Sequence, residues 1–152
     1  MRVWRICKAR YAAAAFNGEG TLLFAGRWNP AGVRMVYTSS SLALAAVELF
    51  VHLDPAVAPR DLVSVSATIP DGISVERIEM KSLPAGWRSV GREDLQQIGA
   101  DWIASKRSVA LQVPSAAIAG EWNVLLNPAH PAFSRISTDS RQPFVFDPRM
   151  FR

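Results

Sequence analysis

The stretch Leu42-Ala-Leu-Ala-Ala-Val-Glu-Leu-Phe-Val51 is the most apolar segment of this 152-residue chain, and one carboxylate, Glu48, lies inside it. Alanine and leucine are strong helix formers. The hydroxyls of Thr38-Ser-Ser-Ser41 can cap a helix start, and Pro55 would end it. We therefore predict a helix over residues 41–53.

Glu48 lies off the main apolar stripe of this helix, in a separate i, i+4 row with Leu44 and His52. Desolvating an unpaired carboxylate costs several kcal/mol or more. Glu48 must therefore be paired, protonated or directed into a cleft. A bond to the backbone or to His52 is the structural interpretation, and a cleft is the functional one.

Size and composition are typical of an ordinary soluble globule. The chain is 49% hydrophobic and 20% charged, and its length predicts one domain over residues 1–152. The net charge of +4 is dispersed, without a long run of basic residues, so nucleic-acid binding is not indicated. The same excess of positive charge favours a small molecule that carries phosphate.

Cysteine content and hydropathy indicate the compartment. The single cysteine, Cys7, excludes an intrachain disulfide, which favours a reducing environment. The first residues lack the apolar core of a signal peptide, and the segment around Glu48 is too short to span a bilayer. We therefore expect a cytoplasmic protein that makes no membrane contact.

The remaining segments predict several short strands and one more long helix. Residues 62–69 alternate between apolar and hydroxyl side chains, which predicts a half-buried strand with the serines facing away from the core. Further strands are expected over residues 3–6, 33–37, 74–80, 108–113, 122–126 and 144–146, and a helix over 92–104. This pattern predicts an α+β fold with small mixed or antiparallel sheets.

A cation and an aromatic side chain precede the helix that carries Glu48. Arg27 lies in the turn Gly26-Arg-Trp-Asn29, and Tyr37 ends the next predicted strand. An arginine fork suits a diphosphate, and a tyrosine ring can stack on nicotinamide or adenine. Because a turn, a strand end and a helix face can converge on one cleft, Arg27, Tyr37 and Glu48 form the predicted catalytic set. The structural alternatives are a carbonyl clamp or a surface salt bridge for Arg27 and a core position for Tyr37.

These residue types suit cleavage of the bond between ribose and nicotinamide. Glycosidases use two carboxylates because an alkoxide leaving group needs a proton. Nicotinamide leaves as a neutral molecule, so one carboxylate that offsets the oxocarbenium charge can suffice. NAD+ is thus the predicted substrate, with no separate cofactor. Metal-ligand spacing and the glycine patterns of Rossmann and P-loop proteins are missing from the sequence, so no metal site is expected.

Short motifs in a fixed order carry a family resemblance. They are Trp4-Arg-Ile6, Gly18-Glu-Gly20, Gly26-Arg-Trp-Asn29, Tyr37-Thr-Ser39, Ala46-Val-Glu-Leu49, Val113-Pro-Ser115, Asn127-Pro128, His130-Pro131 and Phe146-Asp-Pro-Arg149. Through them the chain resembles the RES-domain family, toxins of bacterial toxin–antitoxin pairs, over nearly its whole length.

The resemblance implies a fold similar to that of ADP-ribosyltransferases, with a split pair of small sheets around an NAD+ cleft. The family's serine corresponds to Ser115, and its arginine, tyrosine and glutamate correspond to Arg27, Tyr37 and Glu48. They would hold the diphosphate, orient the nicotinamide ribose and stabilise the oxocarbenium. The full NAD+-binding set expected is Arg27, Trp28, Tyr37, Ser115 and Asn127.

The activity implied is NAD+ depletion by cleavage of the nicotinamide–ribose bond, with water or phosphate as acceptor. ADP-ribosyl transfer to a protein is the first alternative, and a non-enzymatic nucleotide-binding module is the second. The resemblance also implies an antitoxin partner with an Xre-type helix-turn-helix domain. That partner would cover the active site and provide the link to DNA. Formation of a homodimer stays open.

Overall fold

A computed structural model describes residues 1–151, which form one mixed sheet with helices packed on it. The strands are β1 (Arg2–Lys8), β2 (Val36–Ser39), β3 (Leu62–Thr68), β4 (Val75–Arg77), β5 (Ala110–Pro114), β6 (Trp122–Leu126), β7 (Ser137–Thr138) and β8 (Gln142–Phe144). The α-helices are α1 (Glu19–Leu23), α2 (Leu42–Phe50) and α3 (Glu93–Ser105). Short 3-10 turns cover Ala9–Ala14, Met80–Ser82, Pro131–Arg135 and Pro148–Phe151. The α+β prediction is confirmed.

The sheet runs in the order β4-β5-β6-β2-β1-β3-β7, and β8 pairs with β3. Strands β4 and β5 are parallel, and the other pairs are antiparallel. Within residues 1–151, β1 and β2 are in register at a single pair, Trp4 with Ser39. This narrow junction joins two halves of one continuous sheet, β4-β5-β6-β2 and β1-β3 with β7 and β8.

Helix α2 covers one face of the second half. It begins after Ser41, whose hydroxyl accepts a 3.1 Å hydrogen bond from the amide of Leu44, the N-cap that the serine run predicted. Its buried side packs with Ile6, Leu62 and Phe146. That contact fixes the helix mainly against β1, and the bonds of Glu48 to Ser115 and Asn123 place the Glu48 side chain toward β5 and β6.

Helix α3 covers the same face over the other half. Leu95 and Trp102 of α3 pack on Leu111 and Leu125 of the sheet. In the ladders, Leu125 and Asn123 share a face with Ser39, and Ser39 pairs with Trp4 under α2. The two helices therefore lie side by side on one face, and β2 runs beneath the gap between them.

The predicted boundaries differ from the structure at some strands. The strand expected from residue 33 begins at Val36 because the amide of Met35 bonds instead to the hydroxyl of Thr21, at 2.8 Å. The last strand is Gln142–Phe144, since Phe146 turns into the aromatic cluster on α2.

The prediction of a half-buried β3 is wrong. Ser64 and Ser66 are buried, as are their apolar neighbours, and the Ser66 hydroxyl bonds to the side chains of Arg2 and Asp139. Hydroxyls that the sequence places toward solvent thus lie inside. None of the helices within residues 1–151 is long and apolar enough to cross a lipid bilayer.

Candidate active site

The carboxylate of Glu48 is held by two neutral donors, one on the turn after β5 and one on β6. Ser115 Oγ donates to Glu48 Oε1 at 2.6 Å, and Asn123 Nδ2 donates to the same oxygen at 2.6 Å. Both bonds end on Oε1, and the ion pairs found within residues 1–151 do not include Glu48. The carboxylate is therefore fixed without a counter-charge, and its second oxygen is left for a ligand.

Ser115 follows β5 and is fixed by the turn that leads into β6. Its hydroxyl oxygen accepts hydrogen bonds from the amides of Ala117 and Ile118, at 3.1 and 3.0 Å, while it donates to Glu48. The predicted site residue Ser115 is thus brought to Glu48. Its bonds orient the carboxylate, and its predicted contact with NAD+ stays a prediction.

Tyr37 lies on the same face of β2 as Ser39, whose hydroxyl bonds to the Asn123 amide. Because strand residues advance about 3.3 Å each and alternate in direction, Tyr37 and Ser39 are neighbours about 7 Å apart on that face. Asn123 joins Ser39 to Glu48. Tyr37 on β2 and the Asn123 side chain that bonds to Glu48 therefore lie on the same face of the sheet, beneath the gap between α2 and α3.

The Tyr37 hydroxyl is occupied by the turn that carries Arg27. It donates to Asn29 Oδ1 at 2.7 Å and accepts from the amide of Trp28 at 2.9 Å. Burial raises the pKa of Tyr37, against smaller lowering effects from the Trp28 bond and the nearby charge of Arg27. The phenol is therefore a neutral donor at physiological pH. Its two hydrogen bonds fix the position of the hydroxyl relative to the Arg27 turn.

Asn29 organises this turn and was given no role by the sequence. It is fully buried, and its amide nitrogen donates to the carbonyls of Thr21, Phe24 and Pro30. Its oxygen accepts from Tyr37. An asparagine after Trp28 can satisfy this many partners because its amide has both donors and acceptors.

Arg27 has a divided role in the structure. Its Nη1 donates to the carbonyls of Trp87 and Ser89 at 2.9 and 3.0 Å, so the guanidinium clamps the loop over residues 84–91. This is the structural alternative considered for it. Both bonds use one nitrogen, so Nη2 and Nε are the donors available to a phosphate. Binding of a diphosphate by Arg27 stays a prediction.

Trp28 and Asn127 are used in packing. Trp28 is 2% exposed, and its carbonyl lies against Gly99 of α3. Asn127 is fully buried, donates to the carbonyl of Ile103 and accepts from the amide of Ala129. These contacts give both residues a structural role, and their predicted contact with NAD+ stays a prediction.

Arg5 is a candidate that the sequence interpretation missed. Its Nη1 donates to the carbonyl of Tyr37 at 3.2 Å, where β1 and β2 separate. Its Nε is buried and has no hydrogen-bond partner in residues 1–151. Desolvation lowers the pKa of Arg5, against a smaller raising effect from nearby Cys7. A buried donor without an acceptor costs about 1–3 kcal/mol, which a bound acceptor would remove. The available signal was a charged residue inside the apolar strand Val3-Trp-Arg-Ile6.

Arg5 lines a cavity of about 100 Å³ together with Gly18, Glu19, Thr21 and Tyr37. Sites for whole organic ligands are usually at least about 300 Å³. This cavity therefore suits one chemical group of a larger ligand, such as a phosphate or an amide. A larger cavity of about 550 Å³ lies away from Glu48, between the Ala9–Ala14 turn, β3 and β7, and contains no predicted site residue.

Comparisons with known proteins identify the family. Residues 2–147 match the RES domain family. The chain is 39% identical to the Prs ADP-ribosylating toxin of Sphingobium sp. strain YBL2, over 98% of this chain and 96% of that protein. It is 34% identical to Toxin Res of Yersinia enterocolitica, over 99% of each.

A solved structure shares the fold. A chain in the crystal structure of the M. tuberculosis MbcT–MbcA toxin–antitoxin complex superposes with a TM-score of 0.73 at 15% identity, over 99% of this chain and 86% of that one. Together with the match over residues 2–147, these comparisons show that the chain belongs to the RES-domain family, the family that its sequence motifs predicted.

Proposed function

We propose that this chain cleaves the nicotinamide–ribose bond of NAD+ and acts as the toxin of a toxin–antitoxin pair. The observation that carries the proposal is the geometry of Glu48. Two neutral donors fix one carboxylate oxygen, and Tyr37, which bonds to the Arg27 turn, lies on the same face of the sheet as the Asn123 donor. The names of the RES-domain relatives, which are toxins, support the biological role.

The arrangement suits a reaction with a cationic transition state. As the bond from ribose C1′ to the pyridinium nitrogen breaks, its electron pair passes to nicotinamide, which leaves neutral. The ribose becomes positively charged, and an ionised Glu48 within reach stabilises it. Water then adds to C1′ and loses a proton, which gives free ADP-ribose. Phosphate as acceptor would give the phosphorylated product.

Arg27 and Arg5 are the cations proposed to hold the rest of the dinucleotide. Arg27 has two nitrogens beyond its loop contacts, and Arg5 lines a one-group cavity and has a buried Nε without a hydrogen-bond partner in residues 1–151. Two charged donors would fix the substrate before the bond breaks.

ADP-ribosyl transfer to a protein is the second candidate. It shares the bond-breaking step and differs in the acceptor. The Sphingobium relative, at 39% identity, is named as an ADP-ribosylating toxin, which favours this outcome. The two candidates require the same Glu48, so site geometry alone does not select between them.

An antitoxin with an Xre-type helix-turn-helix domain is the proposed partner. The related fold found in a toxin–antitoxin complex supports a protein partner of this class. Co-expression should relieve growth arrest, and any contact with DNA would pass through that partner.

The test follows NAD+ during incubation with purified protein. We expect wild type to release nicotinamide and Glu48→Gln to lose at least about 100-fold in rate while remaining folded, because an amide does not offset positive charge. The matched control is Glu79→Gln, an exposed carboxylate on a surface turn. Full NAD+ loss by a folded Glu48→Gln protein would refute the proposal.

Labelled NAD+ in a cell lysate separates the acceptors. Free labelled ADP-ribose indicates water, its phosphorylated form indicates phosphate, and label on a protein band indicates transfer. NAD+ binding without nicotinamide release would instead support a non-enzymatic nucleotide-binding module.

A further inference from the structure

Three polar side chains form a continuous hydrogen-bonded row from β2 to Glu48. Ser39 Oγ bonds to Asn123 Oδ1 at 2.7 Å, and Asn123 Nδ2 bonds to Glu48 Oε1 at 2.6 Å. Ser39 and Asn123 are directly paired across β2 and β6. Ser39 is 3% exposed, so the end of the row away from Glu48 is closed to solvent.

We propose that Asn123, supported by Ser39, is a positioning residue that holds Glu48 in the orientation needed for bond cleavage. This inference rests on the proposed function. It names a residue outside the arginine, tyrosine, glutamate and serine set, and it assigns that residue to the carboxylate and not to NAD+.

The chemistry of the three groups fixes the direction of every bond in the row. An ionised Glu48 only accepts hydrogen bonds, so Asn123 must turn its amide nitrogen toward it. The Asn123 oxygen then faces Ser39, whose hydroxyl must donate. The row is therefore matched to a charged carboxylate, and each member determines the orientation of the next.

Two donors, one on the turn after β5 and one on β6, fix the carboxylate of Glu48. Ser115 alone would leave Glu48 free to rotate about a single hydrogen bond. Asn123 adds a second bond to the same oxygen, so the free oxygen points in one direction. Because displacement of a reacting group by about 1 Å can cost about 100-fold in rate, this constraint should appear in kcat.

The test uses Asn123→Asp, which has nearly the same shape but replaces the donor with a second carboxylate. We expect kcat for NAD+ loss to fall about 100-fold with KM changed less than about threefold. Ser39→Ala, which removes only the remote support, should lower kcat about fivefold. The matched control is Thr38→Val, since Thr38 bonds to the Val124 carbonyl on the opposite face of the same strand. Its kcat should equal that of wild type.

A double variant distinguishes positioning from general stability. In the Asn123→Ala background, Ser39→Ala should cause no further loss of kcat, because the bond it removes is already gone.

Circular dichroism checks that each variant is folded. If Asn123→Asp does not fold, the comparison of kcat between Ser39→Ala and Thr38→Val tests the inference. Three results would overturn this inference and leave the proposed function standing. They are a wild-type kcat in folded Asn123→Asp, additive losses of kcat in the double variant, and equal effects of Ser39→Ala and Thr38→Val on kcat. A wild-type protein that leaves NAD+ intact overturns both this inference and the proposed function.

Discussion

Ser115 Oγ lies 2.6 Å from Glu48 Oε1, although the two residues are 67 positions apart in the chain. Helix α2 carries the carboxylate, and the turn after β5 carries the hydroxyl. The contact therefore exists only when α2 is docked on the sheet. It links the folding of the α2 half to the β5–β6 half at the site proposed for catalysis.

Replacing Ser115 should reduce activity more than stability. Ser115→Ala removes the donor to Glu48 and the acceptor of two backbone amides, at a cost of about 1–3 kcal/mol in the free energy of unfolding. Ser108→Ala is the matched control, because Ser108 is also buried and bonded in two directions, with Trp102 and Ala110. Urea unfolding should give similar losses for the two variants, and nicotinamide release should slow only for Ser115→Ala. Equal rates for both would assign Ser115 to stability alone.

Replacing Arg27 should weaken substrate binding. Arg27→Ala removes a charge beside Tyr37 and the clamp on the carbonyls of Trp87 and Ser89. We expect KM for NAD+ to rise about tenfold or more, the usual effect of losing a charge-assisted hydrogen bond. Arg88→Ala, an exposed arginine of the same loop, controls for nonspecific charge loss. An unchanged KM in initial-rate measurements would remove Arg27 from the substrate site.

A methyl group at residue 26 should disturb the turn. An added Cβ at Gly26 would lie 2.7 Å from both Asn29 Oδ1 and Tyr37 Oη, inside the hydrogen bond that closes the turn. Overpacking of this kind typically costs about 1–3 kcal/mol, so Gly26→Ala should lower the urea midpoint. Gly20→Ala is the matched control, since Gly20 lies in α1 with open space around its Cβ position. It should match or exceed wild-type stability, and a Gly26→Ala protein as stable as wild type would contradict the packing described.

Tyr37 should make stability fall at alkaline pH. Burial raises the pKa of Tyr37, whereas an unfolded tyrosine ionises near about 10. The folded state therefore keeps the phenol protonated after the unfolded state has begun to lose its proton. This contribution is complete below about pH 10 and is lost as pH rises through the folded pKa. Between about pH 9 and 11, wild type should lose more unfolding free energy than Tyr37→Phe. Parallel pH profiles for the two proteins would show that Tyr37 does not carry this dependence.

The sequence was sufficient for the elements that local chemistry specifies. The serine run before Leu42 predicted the cap and start of α2, and the apolar segments at residues 122–126 and 92–104 predicted β6 and α3. It failed where long-range contacts override local pattern. The serines of β3 alternate like a solvent face, but both are buried, and Ser66 bonds to the side chains of Arg2 and Asp139, which lie far from it in the chain.

In the candidate site, too, local chemistry identified some residues and long-range contacts decided the roles of others. An isolated carboxylate in an apolar helix pointed to Glu48 because its burial is costly whatever the fold. Asn123 lies in a strand with no unusual local pattern, and although a charge inside an apolar strand marks Arg5, the partners of both residues depended on which residues the ladders bring near them. Arg27 was expected to face substrate, and it also clamps a loop that is 60 residues away in the chain.

By itself, the sequence determined which residues are chemically expensive to bury and which family the motifs match, because side-chain identity and local spacing are enough for both. The tertiary structure decided which neutral groups hold Glu48 and on which oxygen. That choice depends on strand register, which brings Asn123 opposite Ser39 and Ser115 to the end of β5. Register is set by the packing of whole elements, so residue spacing along the chain does not contain it.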